Sequence, residues 1–297
     1  MPCFNHGRFV AASVRSILKQ THSQLELIVV DDCSSDQSRE VILDFARRDP
    51  RVVAAFHDRN RGRSGSRNHG LRLAKGDFIA FCDADDLWFP EKLALQLDQL
   101  RRQPGYDVAY CDALIVDEHG VASSRRFSDL FPPPAAASGS LFGELCLRNF
   151  INTQTVLLRR SCVGAGDLFD ERIQLSEDWW CWICLSRRHR FSYLSQPLGM
   201  YRVHSRSTAA TERAGYNGNR YKVLRRVMKR CPELPPRARA EIWYHMGVEL
   251  HYSGRPRLAR RFLLRSLWAS IGSRCGPRQC ARAAARVLWG VFAGRPG

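Results

Sequence analysis

Apolar positions in the first half of the chain alternate between two periods. Phe9, Val10, Val14, Ile17 and Leu18 recur at helical spacing and predict a helix near the start. Leu25–Val30 (LELIVV) is short, apolar and branched, as a strand buried on both faces requires. Ser34, Ser35 and Asp36 then offer caps for a helix running to about Arg48, where Pro50 stops it. Val52–Phe56 reads as the next strand, and a helix follows from about Gly65 to Lys75, ending at Gly76. Phe78–Cys82 is a further strand, Pro90 opens a further helix, and Asp107–Asp112 is another strand.

Strands alternating with helices imply βαβ units, hence an α/β fold with a mostly parallel sheet flanked by helices. Ligands of such sheets bind beyond the carboxyl ends of the strands. Phe131–Ser140 (FPPPAAASGS) breaks the alternation and reads as a loop. Mixed helix and strand continue to about Thr208, and from Thr211 the pattern is helical and Arg-rich. The chain opens on MPCFNHG, a polar loop leading into a helix. The apolar first strand of a doubly wound fold is therefore expected to be missing.

Composition narrows this picture. With 297 residues and 44% hydrophobic side chains the chain can bury a sizeable core, which excludes disordered, collagen-like and small disulfide-stapled classes. The net charge of +17 sits mostly in one place: 19 Lys+Arg against 4 Asp+Glu from Glu212 to Gly297, and 27 against 25 before it. Eleven irregularly spaced cysteines do not form a disulfide framework. No run reaches the ~18 apolar residues of a spanning helix, and no charged n-region and apolar h-region open the chain. These features predict a cytoplasmic protein with reduced thiols.

Three acid groups and one histidine are the candidates for chemistry. In Cys82–Asp86 (CDADD), three carboxylates follow an apolar strand at the ligand-binding end of the sheet. Like charges this close repel unless a cation joins them, and a hard divalent ion with oxygen ligands suits the cluster. The alternative is a solvated acidic turn that caps the next helix. Asp31 and Asp32 end the LELIVV strand at the same edge and could serve a ligand or cap the following helix. Glu177 and Asp178 precede Trp179, Trp180 and Trp182; they read as a general base beside a dry pocket, or as acids complementing a helix dipole. His204 in MYRVHSRST is a metal ligand or an ordinary hydrogen-bonded imidazole. Cys181-x-x-Cys184 lies in an apparent helix among tryptophans, where packing is the better reading than redox chemistry. The Gly- and Arg-rich NRGRSGSRNHG lacks both the P-loop and the dinucleotide fingerprint, and a basic loop facing a diphosphate suits it.

The ordered set PCFNHGRFVAASVRSILKQT, LELIVVDDCSSD, NRGRSGSRNHGLRLAKGDFIAFCDADDLWFPEKL, LSEDWWCWICLSR and YRVHSRST resembles the family 2 glycosyltransferases with the GT-A fold, over roughly residues 1–208. The resemblance implies a GT-A domain over residues 1–210, with a nucleotide-binding half (1–122) and an acceptor and catalytic-base half (141–210), followed by a helical, basic region over 211–297. It implies inverting transfer of a sugar from a nucleotide-diphosphate donor, a UDP-sugar being favoured, to a hydroxyl of a saccharide or lipid-linked acceptor in bacterial surface polysaccharide assembly. Pro2, Phe4, Asn5, Asp31, Asp32, Arg67 and Asp83 would bind the donor, with Phe4 against the base and Asp32 hydrogen-bonded to it. Asp83, Asp85 and His204 would hold Mn²⁺ or Mg²⁺. Asp178, beside Glu177, would be the catalytic base.

The sequence departs from that pattern where the first strand should precede PCFN; Met1 would then be an internal methionine, with translation starting upstream. The same departure motivates a second reading, a catalytically inactive GT-A domain serving in binding or scaffolding, although every expected acid and His204 is present. In the tail, Trp243, Leu250, Leu258, Phe262, Leu267, Trp268, Val287, Leu288 and Trp289 punctuate an Arg-rich stretch. That composition suits an anionic membrane surface, at the inner face of the cytoplasmic membrane, as well as it suits a solvated helical cap. No nucleic-acid module is present, and no nucleic-acid partner is expected.

Overall fold

The computed structural model describes residues 1–164, 166–205, 207 and 219–272. The chain divides into two units, one of residues 1–141 with 150–207 and one of 142–149 with 208–297. Residues 142–149 thus cluster with the C-terminal part, which a single boundary at 210 does not anticipate.

The first unit opens with β1 (Pro2–Cys3), α1 (Val10–Leu18), β2 (Leu27–Asp31), α2 (Ser38–Arg48), β3 (Val52–Phe56) and α3 (Gly62–Leu73). Strands β1, β2 and β3 form a parallel three-stranded sheet in that order. All five residues of β2 are buried, which is why that run is apolar throughout. Helix α1 buries Val10, Ser13, Val14 and Ile17, one stripe at i, i+3, i+4 and i+7. The first strand is therefore present, but only as two residues. Met1 extends its pairing, since the terminal amine donates to the Ile28 carbonyl (2.8 Å) and the Met1 carbonyl accepts from Val30 N–H (2.9 Å). A hollow of about 550 Å³ beside it is lined by Met1, Ile28, Leu71, Phe78, Cys82 and Trp88 among others.

The remaining strands are β4 (Phe78–Ala80), β5 (Leu87–Trp88), β6 (Val108–Val116), β7 (Ala122–Arg126), β8 (Leu157–Arg159) and β9 (Phe191–Arg202). They form a second sheet ordered β4-β8-β6-β9-β5, with β7 on β6. Only the β6–β9 pair is parallel there. The mostly parallel sheet expected from alternation holds for β1–β3, where helices make the crossovers. From β4 onward it gives way to mostly antiparallel pairing, as at the β6–β7 hairpin, whose turn carries Gly120 at φ 84° and Asp117 accepting from His119 and Val121 N–H. Helices α4 (Lys92–Arg102), α5 (Phe127–Leu130), α6 (Phe142–Leu147) and α7 (Glu177–Ser186) complete the chain to residue 207, α6 belonging to the second unit. Trp179 and Trp182 are core, Trp182 packing near Phe81 and Phe169. Cys181 is buried beside them, whereas Cys184 is exposed; the described residues contain no disulfide.

Two helix starts differ from expectation, and each difference builds the site. Helix α2 begins at Ser38 because Ser34 and Ser35 are engaged elsewhere: Ser34 Oγ accepts from Asn5 N–H (2.9 Å) and Ser35 N–H donates to Asn5 Oδ1 (2.8 Å). Helix α3 begins at Gly62 because its first N–H groups find a distant carboxylate, Asp32, which accepts from Arg61 and Gly62 N–H, both at 2.8 Å.

In the second unit, α8 (Asn219–Arg230), α9 (Pro236–Tyr252) and α10 (Pro256–Gly272) follow α6. Helices α9 and α10 approach so closely that a Cβ on Gly247 would meet Leu263 side-chain atoms at 2.7 Å. Arg257, Arg260, Arg261 and Arg265 lie exposed on α10 with Leu264 and Trp268. The predicted tail positions Val287, Leu288 and Trp289 lie outside the described residues. No described helix is long and apolar enough to cross a membrane.

Candidate functional site

The acid groups singled out in the sequence converge through one cation. Arg67, on α3, has a side chain only 2% exposed. Its Nη2 donates to Asp83 Oδ1 and its Nη1 to Glu177 Oε1, both at 2.7 Å. Burial opposes its charge, but the carboxylates of Asp83 and Glu177 hold it protonated. Burial likewise opposes ionisation of Asp83, yet Arg67 and Arg63 outweigh it and keep that carboxyl below the usual carboxylate range. Residues 110 positions apart thereby share one electrostatic centre.

Asp178 lies next to this centre at the start of α7. Thr153 Oγ1 donates to its Oδ2 (3.0 Å) and Trp179 N–H to its Oδ1 (2.7 Å). Burial, and then the neighbouring Glu177 charge, push Asp178 up to about 6, against the pull of Arg67 and these two donors. A carboxyl so placed is ionised at neutral pH yet more basic than a free one. Ser176, immediately before α7, is held at φ 61°.

The Asp83–Asp86 loop is fixed from both sides. Ser13 Oγ donates to the Ala84 carbonyl (2.8 Å), and Arg202 Nε donates to the Asp85 carbonyl (2.7 Å). Asp86 accepts from Arg202 N–H (2.9 Å) and is buried; that burial, with Asp85 and Asp83 nearby, raises its carboxyl well above the usual range. Asp85 Oδ2 instead meets His204 Nε2 at 3.0 Å, with the imidazole against Phe9. A carboxylate oxygen and an imidazole nitrogen this close suit a divalent cation. Asp83, the third expected metal ligand, turns Oδ1 to Arg67.

Five of the seven expected donor-binding residues, Pro2, Phe4, Asn5, Asp31 and Asp32, gather at the ends of β1 and β2. Pro2 is buried in β1, while Phe4 is 46% exposed and offers a ring face for stacking. Asn5 (φ 56°) and Cys33 (φ 66°) are, with Ser176, the non-glycine residues at positive φ among those described, and all three flank the site. Asp31 Oδ2 accepts from Ser34 N–H (3.2 Å), but its Oδ1 is buried without a hydrogen-bond partner. Asp32 is committed inside the protein. Besides the α3 N–H groups it holds His57 Nδ1 (2.8 Å), and His57 Nε2 meets His69 Nδ1 (2.9 Å). The unpartnered oxygen of the acid pair is thus Asp31 Oδ1, and it lies inside the protein. The sequence reading missed Thr153, Arg202 and His6, the last of which lies 6.1 Å from His204 between ring centres. His6 and Arg202 sit inside quoted motifs, whereas nothing local marks Thr153.

The sequence model of glycosyl transferase family 2 matches residues 1–138. An uncharacterized glycosyltransferase of Rickettsia bellii is 31% identical over 208 residues, 70% of this chain, which spans only 29% of that relative's length. The UDP-Glc:alpha-D-GlcNAc-diphosphoundecaprenol beta-1,3-glucosyltransferase WfgD of Escherichia coli is 27% identical over 84% of this chain and 93% of its own. Among solved structures, the mannosyltransferase PcManGT of Pyrobaculum calidifontis, in complex with GDP-Man and Mn2+, covers 99% of this chain and 86% of its own with a TM-score of 0.62 at 16% identity, a likeness of fold.

Proposed function

Residues 1–138 belong to glycosyl transferase family 2, and on that premise we propose that the protein transfers a sugar from a nucleotide-diphosphate donor to a hydroxyl acceptor, with inversion and with help from a divalent metal. The observation that carries this reading is the Arg67 bridge, which joins the Asp83 loop to the Glu177–Asp178 pair. Donor-side acids and a candidate base adjoin within one pocket edge, as an in-line displacement needs.

Asp178 takes the proton of the attacking hydroxyl, which is a poor nucleophile until that proton leaves. Thr153 and the Trp179 N–H orient its oxygens. As the new bond to the anomeric carbon forms, the bond to the diphosphate oxygen breaks on the opposite face. Asp85 and His204 would hold Mn²⁺ or Mg²⁺, which would supply Lewis-acid charge for the departing diphosphate, while Asp83 stays on Arg67. Phe4 stacks on the nucleobase, beside the Asp31–Asp32 turn. A UDP-sugar is the favoured donor, supported by the donor in WfgD's name. The acceptor is a saccharide or lipid-linked glycan of bacterial surface polysaccharide assembly. The exposed Arg257, Arg260, Arg261 and Arg265 with Leu264 and Trp268 support an anionic membrane surface as the working location.

The test is nucleoside-diphosphate release from a panel of UDP- and GDP-sugars, with Mn²⁺ and with EDTA. Metal-dependent release that disappears in Asp85→Ala and Asp178→Asn is expected. Donor binding without release in the wild type would instead establish the inactive binding module, and full activity in both variants would remove the residue assignments.

A further inference from the structure

We propose that His6 is a direct ligand of the divalent metal, so that the ion is held by two imidazoles and one carboxylate: His6, Asp85 and His204. The proposal rests on the metal-assisted reading above and assigns a residue to it from geometry. One ligand atom from each of these three side chains lies within 4.8 Å of the other two. In an octahedral shell with bonds of about 2.1 Å, neighbouring donors stand about 3.0 Å apart. The Asp85 and His204 atoms already stand at 3.0 Å, and His6 closes the third corner after a modest turn of its ring. Its backbone is fixed for that purpose. His6 N–H donates to Ser38 Oγ (3.0 Å), and its carbonyl accepts from Phe9 and Val10 N–H at the start of α1. The ring stands edge-on to that of His204 at an interplanar angle of 83°.

This set differs from the acids alone in what it selects. Three protein donors on one face leave three neighbouring positions, room for two diphosphate oxygens and a water. Mg²⁺ favours oxygen shells and gives up water reluctantly, whereas Mn²⁺, at the low end of the transition-metal affinity order, tolerates imidazole nitrogen better than Mg²⁺ does. Two imidazoles therefore bias the site toward Mn²⁺. Asp83, tied to Arg67 at 2.7 Å, is left to hold the arginine in place.

The full chain is titrated with Mn²⁺ in the presence of UDP and, separately, GDP, with bound metal read by electron paramagnetic resonance and histidine nitrogens counted by electron spin-echo modulation. Competition with Mg²⁺ is measured on the same samples. The wild type is expected to show two coupled histidine nitrogens. His6→Ala should show one, with Mn²⁺ affinity lowered about tenfold or more and Mg²⁺ affinity little changed. His6→Asp should bind metal again with its preference moved toward Mg²⁺, which separates a lost ligand from a lost fold. Two nitrogens in His6→Ala, or an unchanged metal preference in His6→Asp, would overturn the role of His6 while leaving a metal on Asp85 and His204 intact. Absence of Mn²⁺ binding by the wild type with either nucleotide would overturn the metal-assisted reading as well.

Discussion

Replacing Arg67 by methionine tests whether the two acid groups share one centre. The change keeps the length of the stem and removes the guanidinium, which lies over Phe169 and meets Glu177 and Asp83 at 2.7 Å each. Breaking a buried pair by deleting one partner costs about 3–5 kcal/mol, because the other charge stays uncompensated. Glu177 is almost wholly buried, so that cost applies to it; Asp83 has a side chain 27% exposed, and water screens its share. The expected loss is therefore about 3–5 kcal/mol in total at pH 7.5, a fall of roughly 1–3 M in the urea midpoint. Its pH dependence follows from linkage. In the wild type the Asp83 carboxyl is held below its usual range, so its stabilisation is complete above the unfolded-state pKa and is lost as pH falls through the folded one. In the variant burial at Asp83 is no longer offset by Arg67, so that carboxyl is easier to protonate in the folded state than it is in the wild type. The deficit should thus shrink as pH is lowered toward 5. Arg67 also lowers Asp178, so its removal should move the acid limb of kcat/KM above its wild-type position near 6. Arg67→Lys, which keeps charge but not the two-pronged geometry, should recover part of each effect. Equal urea midpoints at pH 7.5, or a deficit that grows in acid, would refute the shared centre.

Asp178→Asn should lower kcat by about 10²–10⁴ with donor KM little changed, and wild-type kcat/KM should fall as pH drops through about 6, where the base becomes protonated; both are read from nucleoside-diphosphate release. Thr153→Val removes a donor to the Asp178 carboxylate, so that limb should move to higher pH with no change in melting at pH 8 beyond about 1 kcal/mol. Lys92, fully buried over Trp88 with Nζ donating to Gln96 Oε1 (2.8 Å), is lowered by burial to about 8. The unfolded chain binds its proton more tightly up to about 10.5, so wild-type stability should rise with pH between 8 and 10.5, and Lys92→Met should stabilise by about 1–2 kcal/mol at pH 7 and by less at pH 9.5, measured by urea titration.

The local code of the chain gave up the βα alternation readily. Leu27–Asp31 is short, branched and buried, Val52–Phe56 is short and apolar with Val52 buried, and the acid pair at the end of the first sits where parallel strands end. Capping was read less well, because a serine three or four residues before a helix looks the same whether it caps that helix or, like Ser34, holds Asn5 across the sheet edge. The second sheet was least legible, since β6 pairs with β9 and β8 across long stretches that carry no periodic trace of their partners. The site divides the same way. Asp83, Asp85, Glu177 and Asp178 were marked by type and clustering, but the bond between Asp85 and His204 spans 119 positions, and that between Thr153 and Asp178 joins a residue with no marking to one with plenty. That Asp32 spends its oxygens on Arg61, Gly62 and His57 is a fact of loop geometry, not of spacing.

The left-handed turn at Cys33 has a practical consequence. It holds an exposed thiol between Asp32 and Ser34, beside the proposed donor site, with no engineered residue needed. An alkylating reagent should therefore read donor occupancy directly. Labelling of the Cys33 peptide should slow when a nucleotide sugar is present, while the exposed Cys184 on α7 serves as an internal clock for reagent and time. Read peptide by peptide in a mass spectrometer, the chain becomes its own footprinting probe, able to rank donors and acceptors before any turnover has been detected.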